Sequence, residues 1–139
     1  MPLLDSDLTE LCFSILNGNL DSFSFKWKNE SSCAPVVVVD GYPESYNKGA
    51  PIAINQTGLN RKEAKIFIAG AKKGEGGALG SGLRTSGGRV LSVCTLGVNG
   101  EKARENAYEA LGFIDFEGMT YRKDIGLSSQ TGNSEVNNE

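Results

Sequence analysis

Two short segments of the sequence combine positive charge with groups that bind small anions. The first is TSGGRVL (residues 85–91) and the second is YRKDIG (residues 121–126). Glycines let a backbone approach an anion closely, and an Arg guanidinium is a planar fork that matches phosphate oxygens. A Lys adds a point charge, and a neighbouring Asp can accept from ribose hydroxyls or orient an Arg. These residue types favour a phosphorylated small molecule as the ligand.

The candidate binding residues in these segments are Ser86, Gly87, Gly88, Arg89, Arg122, Lys123 and Asp124. Each segment also has an interpretation without a ligand. The two glycines could form a hairpin turn that is followed by an exposed Arg. The second segment could be a solvated cluster of surface charges. The residue types alone leave these alternatives open.

The overall composition limits the possible partners and reactions. The 139 residues carry 14 Lys and Arg against 17 Asp and Glu, and this net charge of -3 disfavours nucleic acid and anionic membranes as partners. There is no His, which excludes imidazole metal ligands, imidazole acid-base catalysis and His-activated nucleophiles. Three cysteines lack the spacing of a metal or redox motif, and no secretory signal is recognisable. We therefore expect a cytosolic protein.

Two other glycine-containing segments carry weaker signals. Residues 70–80 are rich in Gly and Lys, but they lack the spacing of a P-loop or a dinucleotide fingerprint, so we interpret them as a flexible hairpin loop. Gly41-Tyr42-Pro43 could form a wall of a ligand site, although a turn at the end of a strand explains it without a ligand.

Hydrophobic periodicity predicts two helices and several short strands. One helix is expected over residues 5–17, capped by Asp5 or Ser6, and the other runs from Asn99 to Leu111 and ends at Gly112. Strands are expected at residues 23–27, 33–39, 52–54, 66–69, 83–86, 89–96, 114–116 and 119–121. The four valines at 36–39 suggest a strand that is covered on both faces, and Gly87-Gly88 suggests a hairpin between its flanking strands.

Seven motifs in order resemble the C-terminal domain of phosphoribosylamine-glycine ligase, the glycinamide ribonucleotide synthetase of purine biosynthesis and a member of the ATP-grasp superfamily. The resemblance covers about residues 3–126. The motifs are GYP (41–43), YNKG (46–49), AG (69–70), TSGGRVL (85–91), ARENAY (103–108), FEG (116–118) and YRKDIG (121–126). One departure is that the family usually has His-Ala-Gly-Thr where this chain has Ile68-Ala69-Gly70-Ala71.

The resemblance implies a part in the reaction of ATP, glycine and 5-phosphoribosylamine to glycinamide ribonucleotide, ADP and phosphate. In that family an ATP-grasp body performs the phosphoryl transfer with magnesium, and this chain resembles the region downstream of the magnesium ligands. The implied partners are phosphoribosylamine and the ATP-grasp body. ATP and magnesium would bind in the full enzyme, no cofactor or metal is expected on this chain, and the isolated chain is expected to be inactive.

The resemblance also implies roles for the candidate residues. Arg89, Arg122 and Lys123 would hold the 5-phosphate, and residues 86–88 would donate from their backbone or hydroxyl groups. Asp124 would lie near the ribose or orient an Arg. These groups would position the amine on a glycyl phosphate and exclude water, and none would act as an acid-base catalyst.

For the fold, the resemblance implies an α+β architecture, with a small antiparallel sheet or flattened, single-hybrid-like barrel against the second helix. Residues 1–20 would form a terminal helix of the ATP-grasp body, residues 21–127 a substrate-closing domain, and residues 128–139 a disordered tail or linker. A hypothesis from another class stays open, in which the chain is a stand-alone, non-catalytic binding or interaction module that kept the fold.

Overall fold

The computed structural model describes residues 2–74 and 82–127. It contains three α-helices, a short 3-10 helix at Leu20–Ser22, and nine strands within these ranges. The helices are α1 (Leu8–Leu16), α2 (Gln56–Arg61) and α3 (Gly100–Leu111). The strands are β1 (Ser31–Cys33), β2 (Val36–Val39), β3 (Pro51–Ile54), β4 (Lys65–Ile68), β5 (Ala71–Lys73), β6 (Leu83–Thr85), β7 (Arg89–Gly97), β8 (Ile114–Asp115) and β9 (Met119–Tyr121).

The strands form two antiparallel sheets, so the α+β prediction is confirmed and the barrel alternative is wrong. The first sheet has the order β1-β7-β2-β9, with β4 paired to the other edge of β7. The second has the order β5-β6-β3-β8. Neither sheet closes into a barrel. The nine-residue strand β7 is the centre of the first sheet because it pairs with β1, β2 and β4.

Helix α3 has the bounds and caps that the sequence predicted, and it packs against β7 and β1. The side chain of Asn99 accepts from the amide of Lys102, and Gly112 follows the last turn. Its inner face is made of small side chains, including the fully buried Ala103 and Ala107. A Cβ at Gly97 of β7 would lie 2.3 Å from the nitrogen of Ala103. The helix therefore approaches the strand closely at this glycine.

The valine strand differs from its prediction. Val37 and Val39 are buried, whereas Val36 is 43% exposed. This alternation is the pattern of an antiparallel strand with one face on the core and the other towards solvent. The residues before it, Ala34 and Pro35, separate β2 from β1, so the single strand expected over residues 33–39 is two strands.

The predicted hairpin about Gly87-Gly88 is also wrong. Strand β6 pairs with β3 and β5 in the second sheet, whereas β7 belongs to the first sheet. The two glycines therefore connect one sheet to the other. The hairpin partner of β6 is β5, as expected for the glycine-rich segment, although residues 75–81 of that segment lie outside the described residues.

The N-terminal segment contains the predicted helix but no strand at residues 23–27. Asp7, rather than Asp5 or Ser6, caps α1 by accepting from the amides of Thr9 and Glu10, and these bonds lower the pKa of its carboxyl group. Trp27 forms one isolated bridge with Leu4 in place of a strand. No residue of α1 is buried.

No helix in the described ranges has the length and apolar character needed to cross a membrane. The segment 128–139, for which a tail or linker is expected, lies outside the described residues.

Candidate functional site

A β-bulge in β7 determines where Arg89 points. Val37 of β2 pairs with Leu91, but the next residue, Val38, pairs with Arg89, so Val90 is an extra residue on β7. Val90 and Leu91 are both fully buried, which strict alternation along a strand would not allow. Regular pairing would place Arg89 on the core face. The bulge instead places it opposite Val38, on the outer face of the sheet.

Arg89 lies in an open groove on this outer face. The groove is lined by Val36, Tyr42, Phe67, Ile68, Ala69, Gly70, Gly88, Arg89, Leu91 and Ser92. Phe67 and Ile68 are about half exposed, at 46% and 49%. The Arg89 side chain makes no hydrogen bond or ion pair with another residue in the described ranges. The groove therefore presents an available cation beside an apolar surface.

Gly88 allows the ring of Tyr42 to pack against the backbone beside Arg89. A Cβ at Gly88 would lie 2.0 Å from Cδ2 of Tyr42, so any side chain there would displace the ring. Tyr42 is joined to Pro43 by a cis peptide bond, and its ring makes an edge contact with Tyr46. Tyr42 of the GYP motif therefore lines the groove at Arg89, and the motif follows the end of β2.

The backbone amides of residues 86–88 are not equally available to a ligand. Ser86 and Gly87 both donate their amides to the carbonyl of Gly70, at 2.7 and 3.0 Å. The Gly88 amide and the Ser86 hydroxyl have no hydrogen-bond partner in the part of the chain that the structure describes. Two of the three expected amide donors thus stabilise the connection between the sheets, and the third belongs to Gly88, which is buried beside the Tyr42 ring.

In the second segment, Asp124 holds the guanidinium of Arg122. Nε of Arg122 donates to Oδ1 of Asp124 at 2.9 Å, and Nη2 donates to Oδ2. The hydrogen bond from Arg122 holds the pKa of the Asp124 carboxyl below its ordinary value and raises that of Arg122. The Arg122 side chain is nevertheless 74% exposed. Its Nη1 edge points away from the carboxylate, because Asp124 occupies only the Nε edge of the fork.

Two residues of α3 hold the backbone of this segment, and the sequence interpretation gave neither a role in the site. The Tyr108 hydroxyl donates to the carbonyl of Arg122 at 2.6 Å and accepts from the amide of Ile125 at 3.2 Å. Nη2 of Arg104 donates to the carbonyl of Lys123 at 2.7 Å. A sequence signal existed, because Arg104 and Tyr108 are four residues apart and so share one face of a helix.

The two segments lie on one sheet but do not meet. Arg89 and Thr120 both pair with Val38, one from each side, so their strands are two spacings apart, about 10 Å. Arg122 follows Thr120 by two residues and does not line the groove around Arg89. The structure therefore brings Arg122 and Asp124 together and leaves Arg89 separate, with Lys123 exposed beside the pair.

No cluster of three or more acidic or Cys side chains suited to a metal ion occurs among residues 2–74 and 82–127.

The fold and these motifs agree with one known family. A family model described as "Phosphoribosylglycinamide synthetase, C domain" matches residues 32–128. The chain belongs to this family, and the resemblance found in the sequence is confirmed. The matched range contains every candidate residue of both segments.

Relatives and a solved structure support the same assignment. The chain is 38% identical over 126 residues to a bifunctional purine biosynthetic protein of Dictyostelium discoideum, covering 91% of this chain and 15% of that protein. It is 40% identical over 129 residues to the phosphoribosylamine-glycine ligase of Neisseria meningitidis serogroup A, covering 90% and 28%. The crystal structure of phosphoribosylamine-glycine ligase from Thermotoga maritima matches with a TM-score of 0.55 and 38% identity, over 66% of this chain and 21% of that one. The chain thus spans less than a third of these relatives.

Proposed function

We propose that this chain is the C-terminal part of a phosphoribosylamine-glycine ligase and helps to bind phosphoribosylamine. The reaction joins glycine to 5-phosphoribosylamine with ATP and gives glycinamide ribonucleotide, ADP and phosphate. The observation that carries the proposal is the family match over residues 32–128, which includes Arg89 at the start of β7 and the turn that bears Arg122. Relatives named as this ligase match about 90% of the chain.

In this proposal Arg122 and Lys123 hold the 5-phosphate of the substrate. Asp124 takes the Nε edge of Arg122, which leaves the Nη1 edge free to donate two parallel hydrogen bonds to phosphate oxygens. Lys123 adds a second, exposed cation next to it. Asp124 therefore acts by orienting the guanidinium.

Arg89 is the third cation of the proposed site, and it approaches from the neighbouring groove. Its side chain extends from the outer face of the sheet, about 10 Å from the strand that leads to Arg122. A phosphate on the outer face of β2, the strand that separates these two, would be within reach of both long side chains. Of the donors expected at residues 86–88, the Ser86 hydroxyl and the amide of the buried Gly88 have no hydrogen-bond partner in the described ranges.

The contribution of these groups to the reaction is positioning. They fix the substrate amine relative to the acyl phosphate and help to keep water from it. ATP and magnesium belong to the ATP-grasp body in this proposal. The isolated chain would not turn over ATP, and we place the full enzyme in the cytosol.

The N-terminal helix would pack on the ATP-grasp body. Phe13, Ile15 and Leu16 of α1 are 56–79% exposed, and Trp27 is 63% exposed. Clustered apolar side chains of this kind mark an interaction surface. We therefore assign residues 1–20 to the body, residues 21–127 to the domain that closes on the substrate, and residues 128–139 to a tail or linker.

The test is the substitution Arg122→Ala in the full-length enzyme. We expect the KM for phosphoribosylamine to rise at least tenfold, because one charge-assisted bidentate contact contributes about 1.5–3 kcal/mol. Arg61→Ala is the matched control, since Arg61 is an exposed Arg on the last turn of α2. An unchanged KM for Arg122→Ala would refute the phosphate assignment. A full-length polypeptide that lacks ligase activity would favour the stand-alone binding module instead.

A further inference from the structure

Side chains of helix α3 form hydrogen bonds with the main chain of the segment that carries Arg122 and Lys123. The hydroxyl of Tyr108 bonds to both ends of the turn, as a donor to the Arg122 carbonyl and an acceptor from the Ile125 amide. Arg104 bonds to the middle of the turn, at the Lys123 carbonyl. Within the described residues, these three are the hydrogen bonds that join residues 122–125 to another element.

The side chains of Arg104 and Tyr108 also contact each other. The guanidinium carbon of Arg104 lies 4.7 Å from the centre of the Tyr108 ring, within range of a cation-π contact. Nε of Arg104 is buried and has no hydrogen-bond partner among the described residues. The guanidinium is therefore oriented so that Nη2 reaches the Lys123 carbonyl while Nε has no partner among these residues. Leaving that buried donor unpaired costs free energy.

These hydrogen bonds use only backbone atoms of the turn, so the Lys123 side chain and the Nη1 edge of Arg122 stay available to a ligand. The pairing of β9 with β2 ends at Tyr121, one residue before the turn. Beyond that point the sheet no longer fixes the direction of the chain. We propose that Tyr108 and Arg104 are positioning residues that pre-orient Arg122 and Lys123 for a phosphate group. This inference rests on the proposed function.

Tyr108→Phe tests the hydrogen bonds of Tyr108 to this segment, because it removes one hydroxyl and keeps the ring. Tyr121→Phe is the matched control, since its ring centre lies 6.0 Å from that of Tyr108 and its hydroxyl has no hydrogen-bond partner in the described ranges. In the full-length enzyme, we expect peptides that span residues 122–127 to exchange their amide hydrogens about fivefold faster in Tyr108→Phe. Unchanged exchange would overturn the inference.

Kinetics separate a positioning role from a merely structural one. Tyr108→Phe should raise the KM for phosphoribosylamine about fivefold and leave kcat within about twofold, because both hydrogen bonds of the hydroxyl are lost from the segment that binds the substrate. In the Arg122→Ala background, the same substitution should have a smaller effect on KM, because the two residues act through one contact. Additive effects of the two substitutions would overturn the inference.

The outcomes distinguish failure of this inference from failure of the proposed function. If Arg122→Ala raises KM and Tyr108→Phe does not, the positioning role is refuted while the proposed function stands. If Arg122→Ala leaves KM unchanged, the proposed function fails and the inference fails with it, whatever the exchange rates show.

Discussion

The close approach of α3 to β7 at Gly97 predicts a large effect from adding a single methyl group. A Cβ at this position would lie 2.3 Å from the nitrogen of Ala103 and 2.7 Å from the carbonyl carbon of Lys102. Carbon contacts are most favourable near 3.5–4.0 Å, so in Gly97→Ala the helix must move by about 1 Å. Both neighbours are backbone atoms of α3, which cannot swing aside as the end of a flexible side chain could.

The expected cost of Gly97→Ala follows from overpacking, which typically destabilises a core by about 1–3 kcal/mol. For a domain of this size, 2 kcal/mol corresponds to a Tm that is roughly 6–10 °C lower. Differential scanning fluorimetry of the purified protein would measure the shift. Because α3 also carries Arg104 and Tyr108, we expect the KM for phosphoribosylamine to rise as well.

Gly100→Ala is the matched control for this prediction. Gly100 is the first residue of α3, and a Cβ there would have no atom within 4 Å. Ala restricts the unfolded chain more than Gly does, so Tm should stay unchanged or rise by a few degrees. If Gly97→Ala behaves in the same way as Gly100→Ala, the packing argument at the helix is wrong.

Two further predictions concern titratable groups. The pKa of Asp124 should be below its ordinary value of 3.8 because Arg122 bonds to the carboxylate. The ion pair is therefore fully present above pH 4 and is lost only as pH falls through the lowered pKa. An NMR titration that gives an unshifted pKa would contradict this. The thiol of Cys33 should react with iodoacetamide more slowly than that of the exposed Cys12 at pH 8. The reason is that burial raises the pKa of the Cys33 thiol and restricts access of the reagent to it. Equal reaction rates of the two thiols, measured by mass spectrometry, would contradict this.

The sequence predicted those elements whose ends carry local signals. Asn99 and Gly112 mark the ends of α3, and the structure has a cap at each. Residues 66–69 were predicted from a short apolar run between polar residues, and β4 agrees within one residue. Such signals depend on a few neighbouring residues, so they do not depend on how the rest of the chain packs.

Pairing between distant strands could not be predicted in this way. Gly87-Gly88 has the composition of a hairpin, but whether β6 and β7 pair with each other depends on which strands compete for their edges. The same applies to the four valines, because β-propensity does not say which face is covered. Only one face is buried because Val37 and Val39 pack in the core with residues of distant segments such as Ile52 and Leu111, whereas Val36 lies on the other face of β2.

The sequence indicated candidate site residues only where the residue type itself suggests chemistry. Arg89, Arg122 and Lys123 were selected because an Arg fork and a Lys point charge beside glycines or a carboxylate suit a phosphate group. Tyr108 did not stand out, because an amphipathic helix already explains a Tyr beside an apolar stripe. Its hydroxyl bonds to a carbonyl fourteen residues later, and nothing in the periodicity of α3 indicates that contact.

The bulge at Val90 and the glycines before it form a corner of the fold. Bends and bulges are the usual means by which a strand leaves one sheet for another, and here the chain leaves β6 in one sheet and enters β7 in the other. Backbone amides within a sheet donate to the neighbouring strand, whereas a corner interrupts this hydrogen-bond ladder and leaves some amides without a partner in it. The corner therefore accounts for two features of the proposed anion site, since it leaves the amide of Gly88 outside the ladder and turns Arg89 outwards.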